Sequence, residues 1–205
     1  MSSAGQPDGD AAGSSASALL GRPTLGDAVV RADRALFAAV RAHRSGPAVS
    51  AARTVSGLAE PRIVYPGLAA VAVFTARRAG WRAAFSPCLV VASGAAARHV
   101  LAGVIARPRP PADAWLAPPK GFSLPSRHVT LATLAAGVAV RALGVRGRPG
   151  RAAPLLAAAG VGASRVCLGV HWPGDVLAGL AFAEVWLRLT GRWQRAPAAA
   201  ASGQP

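Results

Sequence analysis

Two histidines, one carboxylate and a set of arginines stand at short, fixed spacings in three stretches of this chain. The stretches are Arg107-Pro108-Arg109-Pro110, Pro125-Ser126-Arg127-His128, and Ser164-Arg165 followed by His171 and Asp175. Each lies near the end of a very apolar segment. These residue types are the ones phosphoryl transfer through a histidine needs. Guanidinium forks bind phosphate oxygens. One imidazole can attack phosphorus, with a carboxylate to orient it. The other can protonate the leaving oxygen.

The rest of the chain has to bring those stretches together. Of 205 residues, 52% are hydrophobic, yet the formal net charge is +15, and the mean hydropathy is +0.35. The excess charge is arginine, with Lys120 the single lysine. Long apolar runs with cations at their flanks predict an all-α integral membrane bundle in one domain. Nucleic-acid binding is excluded as a reading. The arginines flank apolar runs, and the few aromatics do not interleave with them as a stacking platform would. Cys88 and Cys167 lie in apolar stretches without metal-ligand spacing and read as small buried hydrophobes. No basic segment followed by a long apolar core opens the chain, so insertion is expected to use an internal spanning helix.

Residues 1–17 are rich in Ser, Gly, Ala and Asp without periodicity and read as disordered, as does the low-complexity tail 196–205. The domain is expected over 18–195. Across 24–45, Val29, Val30, Ala32, Leu36, Phe37 and Val40 recur at helical spacing among Asp27, Arg31, Asp33, Arg34, Arg41 and Arg44. That is an amphipathic helix too charged to span, suited to the membrane interface or the flank of the bundle. A shorter helix over about 47–58 opens at Pro47. Five apolar runs follow, over about 63–76, 83–106, 128–143, 152–170 and 174–190. Several fall short of the roughly 20 residues a spanning helix needs. Their alanine and glycine content suits close helix packing.

Arginine placement sets the topology. Arg77, Arg78 and Arg82, then Arg141, Arg146, Arg148 and Arg151, then Arg188, Arg192 and Arg195 fall on one side of a five-span bundle. That side is expected to be cytoplasmic. The three chemistry-bearing stretches then share the extracytoplasmic face of the cell membrane.

These stretches resemble the signature of the type 2 phosphatidic acid phosphatases, which share an active site with vanadium haloperoxidases. The signature runs Lys-x6-Arg-Pro, then Pro-Ser-Gly-His, then Ser-Arg-x5-His-x3-Asp. Ser164, Arg165, His171 and Asp175 match the third element in full, and the second is matched with Arg127 in place of glycine. The first is matched at Arg109-Pro110 without its lysine, whose position is Ala102. The resemblance covers about 98–175 and implies a helical membrane phosphatase without cofactor or metal, its partners a lipid phosphate and the membrane. It makes His171 the nucleophile, Asp175 the group that fixes its tautomer, and His128 the general acid and then base. Arg109 and Arg165 would bind phosphate oxygens, and Ser126 would add a hydrogen bond. Arg98, one turn before Ala102, Arg127 and Lys120 are the candidates to replace the lysine.

Each residue also has a plainer reading. A histidine ending an apolar helix can be an interfacial cap, Asp175 after Pro173-Gly174 can N-cap the next helix, and Arg107 and Arg109 can anchor at the surface. The convergence of three helices on one membrane face favours a site, because ionisable groups near a bilayer are expensive. His43 reads as solvated, His99 as a structural hydrogen-bonding group, and Glu184 with Arg188 as a surface pair. The substrates that fit are polyprenyl diphosphates, polyprenyl-phosphoryl sugar phosphates, phosphatidic acid and phosphatidylglycerol phosphate. Two rival readings are a vanadate-dependent haloperoxidase and a degenerate relative that binds or flips lipid.

Overall fold

The computed structural model of the protein describes residues 25–192, and their regular elements are all helical. The unstructured ends expected over 1–17 and 196–205 lie outside the described residues. In chain order the helices are α1 (Leu25–Ala42), α2 (Gly46–Leu58), α3 (Pro61–Ala79), α4 (Trp81–Ile105), α5 (Arg127–Ala142), α6 (Gly147–Cys167) and α7 (Pro173–Leu189). Short 3₁₀ turns cover Ala112–Ala114 and Thr190–Arg192.

Local chemistry sets the breaks. Ser45 caps α2, its hydroxyl accepting from Ala48 N at 3.4 Å, with Pro47 in the first turn. Pro61 and Pro173 open α3 and α7, where a missing N–H costs nothing. Gly80, at φ 82°, turns the chain from α3 into α4. The amphipathic segment expected over 24–45 is helical only to Ala42.

The α3–α7 helices carry the five apolar runs. Of the described helices, only α4, over Ala83–Ile105, is long and apolar enough to cross a membrane by length and composition alone. The others are shorter or more charged. The α5 helix has 16 residues and α7 has 17. Basic residues enter both ends of α3 and of α6.

The core between α4, α5 and α7 is built from Val90, Val91, Leu131, Leu134, Val138, Ala183 and Leu187, with Val64 and Leu68 added from α3. Glycines set the helix spacing. A Cβ on Gly137 would lie 2.4 Å from Leu187 Cδ1, and one on Gly162 would lie 2.2 Å from Val176 Cγ1. The α7 helix therefore seats side chains where α5 and α6 have none. Cys88 and Cys167 are free and pack beside apolar clusters, but they are half-buried rather than buried as expected, because each lies at the edge of its cluster.

The bundle has two chemically different ends. At one, the start of α3, the segment after α4, the start of α5 and the α6–α7 junction surround a cavity. At the other, Arg141, Arg146, Arg151, Glu184 and Arg188 line a separate cavity. The pair Glu184–Arg188 is present at 3.8 Å. Helix α1 lies on the flank. Its outer face is exposed, but Asp33 and Phe37 are buried, so one acid of the expected solvated face points inward.

Candidate active site

The junction between α6 and α7 is a tight turn. Leu168 N and Gly169 N donate back to Ser164 O and Val166 O, each at 2.9 Å, and Val170 N reaches Arg165 O at 3.2 Å. Gly169 takes φ +76°, and a Cβ there would lie 2.0 Å from Ala114 O. Only glycine satisfies both the left-handed backbone and the close approach. The turn delivers His171 just before α7, and Asp175 sits in the first turn of that helix.

His171 and Asp175 are almost fully buried, at 1% and 0% exposure. Nδ1 of His171 lies 3.3 Å from Asp175 Oδ2. On the other side of the ring, Arg109 Nη1 lies 3.1 Å from His171 Nε2. Asp175 Oδ2 also accepts from Trp172 N at 2.9 Å and from the Ser123 hydroxyl. Its other oxygen, Oδ1, accepts from Arg107 Nη1 at 2.7 Å. Arg107 extends further: its Nη2 donates to Asp33 Oδ2 at 2.5 Å. Asp175 was expected as a possible N-cap. It is instead the third helical residue, reaching back to the N-cap amide of Trp172.

Arg109 has five N–H donors, and all are engaged. Four go to the carbonyls of Gly121 (2.8 Å), Val170 (2.6 Å), Lys120 (2.8 Å) and Phe122 (3.0 Å). The fifth faces His171. Arg109 therefore clasps the 120–122 loop to the α6–α7 junction and still presents a guanidinium edge to the histidine.

His128, in the first turn of α5, lies opposite. Its Nε2 is 2.9 Å from Glu60 Oε1, the N-cap residue of α3. That contact holds the Glu60 carboxyl below the usual carboxylate range, chiefly through the hydrogen bond to His128 and against the opposing effect of burial. Arg165 is 3% exposed. It donates from Nη1 to Ser56 Oγ at 2.7 Å, and its Nε is buried without a partner among the described residues.

Arg109, Arg127, His128, Arg165 and His171 line one cavity of about 450 Å³, with Glu60, Arg62 and Lys120 also on its walls. The cavity is rich in cations because three helix junctions each contribute one or more. Three of the expected residues do not line it: Asp175 lies behind His171, and Ser126 and Arg98 point elsewhere. Ser126 is fully buried, and its Oγ has no partner among the described residues. Arg98 is buried with Nε 2.7 Å from Pro125 O, its Nη2 donating to the same carbonyl, and it lines a smaller cavity beside His99 and Tyr65. So Arg98 braces the loop before α5, while Arg127 and Lys120, the other two candidates to replace the lysine, line the cavity. Ala102 itself is buried. His99 is exposed, and the structural hydrogen bond expected for it is absent among the described residues. His43 is exposed, with Nδ1 2.8 Å from Ala39 O.

Sequence reasoning missed Glu60, Ser123, Asp33 and Ser56, and it put Arg107 in a chemistry-bearing stretch without giving it a role beyond that of a surface anchor. One clue was available. The chain has only 8 acidic residues against 23 basic ones, so every acid has cations to compete for it. Asp33, Glu60 and Asp175 are the three that entered this network. Among the described residues no group of three or more His, Cys, Asp or Glu is placed to hold a metal ion.

Burial dominates the acid–base character of His171. It pulls the imidazole down to about 4 from 6.5; the Asp175 contact works in the opposite direction, and Arg109 adds to the lowering.

Comparison with known proteins identifies the family. The profile of the PAP2 superfamily matches residues 83–198. Over 160 residues the chain is 32% identical to decaprenylphosphoryl-5-phosphoribose phosphatase of Mycolicibacterium smegmatis, an alignment covering 73% of this chain and 82% of that protein. Among solved structures, the transmembrane PAP2-type phosphatidylglycerolphosphate phosphatase of Bacillus subtilis is similar with a TM-score of 0.71 and 26% identity, over 82% of this chain and 86% of that one.

Proposed function

The chain belongs to the PAP2 superfamily, and from that premise we propose that it is a membrane lipid-phosphate phosphatase working through a phosphohistidine on His171. The observation that carries the reading is the line Asp175–His171–Arg109 at the edge of a cation-lined cavity, with Nε2 of His171 turned toward the guanidinium. In this reading Nε2 attacks phosphorus as the bond from phosphorus to the lipid oxygen breaks. His128 gives its proton to that oxygen. Once freed of the proton, His128 takes one from water, which attacks the phosphohistidine and releases inorganic phosphate and neutral His171. Arg165 and Arg127 hold the charge that builds on the phosphoryl oxygens, and Arg109, its donors committed, adds the field of its guanidinium. Glu60, 2.9 Å from His128 Nε2, holds that imidazole in place beside the cavity.

The substrate proposed is a lipid carrying a phosphomonoester together with a second anionic phosphate. Arg62 and Lys120 line the cavity beyond the two arginines that one phosphate needs. Both relatives are named for lipids of this kind. Of the two, the polyprenyl-phosphoryl sugar phosphate is preferred, because the relative so named is the more similar in sequence. In this reading α3–α7 span the membrane. The arginines at the far end of the bundle support an extracytoplasmic site.

The test is phosphate release by detergent-purified protein with a chelator present, across a panel of lipid monophosphates and diphosphates. His171→Ala is expected to lower release by about three orders of magnitude or more, and His128→Gln by about 10²–10⁴-fold. No release from any substrate by folded protein would move the reading to a lipid-binding relative without catalysis.

A further inference from the structure

We propose that Asp33, on the flanking helix α1, is a positioning residue for the reaction: by sharing Arg107 with Asp175, it fixes the carboxylate that orients His171. The inference rests on the phosphohistidine reading above. Asp33 is 7% exposed, and a buried carboxylate is costly unless both oxygens find partners. Both do. Oδ1 accepts from Gly174 N at 2.6 Å, and Oδ2 accepts from Arg107 Nη2 at 2.5 Å. Gly174 N is one of the unpaired donors at the start of α7. Asp33 therefore caps, from another helix, the very turn that carries Asp175, and its charge complements the helix dipole there.

Arg107 does the coupling. It faces carboxylates on two sides, with Asp175 Oδ1 at 2.7 Å and Asp33 Oδ2 at 2.5 Å. Its guanidinium also lies 5.9 Å from the Trp172 ring centroid. Burial opposes its charge, but Asp33 and Asp175 outweigh burial and raise its pKa. With Oδ1 of Asp175 committed to Arg107, Oδ2 is left to His171, Trp172 N and Ser123. Without Asp33, Arg107 keeps one carboxylate partner, and its half-open side chain can swing away from it. The Asp175 carboxylate is then held through Oδ2 alone and can rock about its Cβ–Cγ bond, so the acceptor of the His171 proton is no longer fixed.

Docking of α1 does not depend on Asp33 alone. Phe37 packs on Trp172 with ring centroids 5.1 Å apart, Arg41 pairs with Asp113 at 3.0 Å, and Arg44 Nη1 reaches Ala114 O at 3.0 Å. This separation allows a specific test. In full-length protein, Asp33→Asn keeps an acceptor for Gly174 and removes the charge facing Arg107. It is expected to lower kcat about tenfold, with KM within about twofold, while Arg41→Ala leaves both unchanged. Because Asp33 acts through Arg107, the double variant Asp33→Asn/Arg107→Gln is expected to match Arg107→Gln alone within about threefold. Multiplying losses in the double variant, or an Asp33→Asn kcat within twofold of the parent, would overturn the proposal.

A second measurement needs no turnover. The ¹⁵N shifts of His171 in substrate-free protein are expected to show one tautomer, protonated at Nδ1, in the parent and a tautomer mixture in Asp33→Asn. An unchanged single tautomer in Asp33→Asn would also overturn the proposal. If the parent shows the fixed tautomer, and Asp33→Asn the mixture, but the parent releases no phosphate, the phosphatase reading is what fails. If the asparagine variant is not obtained folded, Asp33→Glu enters the same cycle, with partial recovery of kcat expected relative to Arg107→Gln.

Discussion

Arginine donates hydrogen bonds and accepts none. The 3.1 Å contact from Arg109 therefore leaves Nε2 of His171 without a proton and puts the ring proton on Nδ1, facing Asp175. A histidine used as a nucleophile must also be neutral. Burial favours that by lowering His171 to about 4 from 6.5. The ring is then expected to stay neutral through pH 5–6, where an ordinary histidine is largely charged, and to protonate only near pH 4. Proton NMR titration of the imidazole in detergent measures this directly, and a midpoint near 6.5 would contradict it. The same shift means the unfolded chain binds more protons than the folded one between those two values, so this site contributes stability that is lost as pH falls from 6.5 toward 4. At this scale much was legible. His171 and Asp175 are four residues apart and meet through local geometry. Glu60 and Asp33 were not legible, because they reach their partners His128 and Arg107 across 68 and 74 residues, and nothing in local spacing encodes such a meeting.

Between α6 and α7 the element-scale problem is to reverse the chain in a few residues while keeping His171 out of either helix. Gly169 solves it with a left-handed backbone pressed against the Ala114 carbonyl. Gly169→Ala is expected to cost more than about 1 kcal/mol from backbone strain alone, with the clash against Ala114 added. The measurable result is a lowered thermal midpoint together with a larger loss of activity than the stability change explains, because the turn that moves carries the histidine. A variant with parental stability and turnover would show that the turn is not under this constraint. The turn was only partly legible. The apolar runs and their proline starts mark where α3 and α7 begin, since proline fixes the first helical turn. The contact between Gly169 and the 112–114 turn depends on packing between distant segments. The amphipathic pattern of α1 was equally plain in the sequence, but alternation of polar and apolar residues cannot say which polar residue a neighbouring loop will cover. Asp33 sits in the pattern like Asp27 and Arg31 and has a different fate.

For the whole molecule the opposing ends support the proposed orientation, with the cavity outside. Lys120, the only lysine, lies exposed on the wall of the cation-lined cavity. An impermeant amine-reactive reagent is expected to modify Lys120 in intact cells, as read by peptide mass; modification only in inverted vesicles would reverse the orientation. The general architecture was legible because arginines fall between the runs. The number of spans was not, since several runs trade apolar length for glycine packing and charge. That trade has a mechanical result. At about 1.5 Å per residue, α5 and α7, with 16 and 17 residues, are roughly 24–26 Å long, less than the hydrocarbon thickness of about 30 Å. On the proposed five-span reading, the bilayer thins around these two short helices. Around this bundle the thinning would draw the headgroup layer toward the cavity, shortening the distance a lipid phosphate must rise to reach His171. Membrane thickness then becomes a variable of turnover, and proteoliposomes made from short-chain lipids should turn over faster than those made from long-chain lipids.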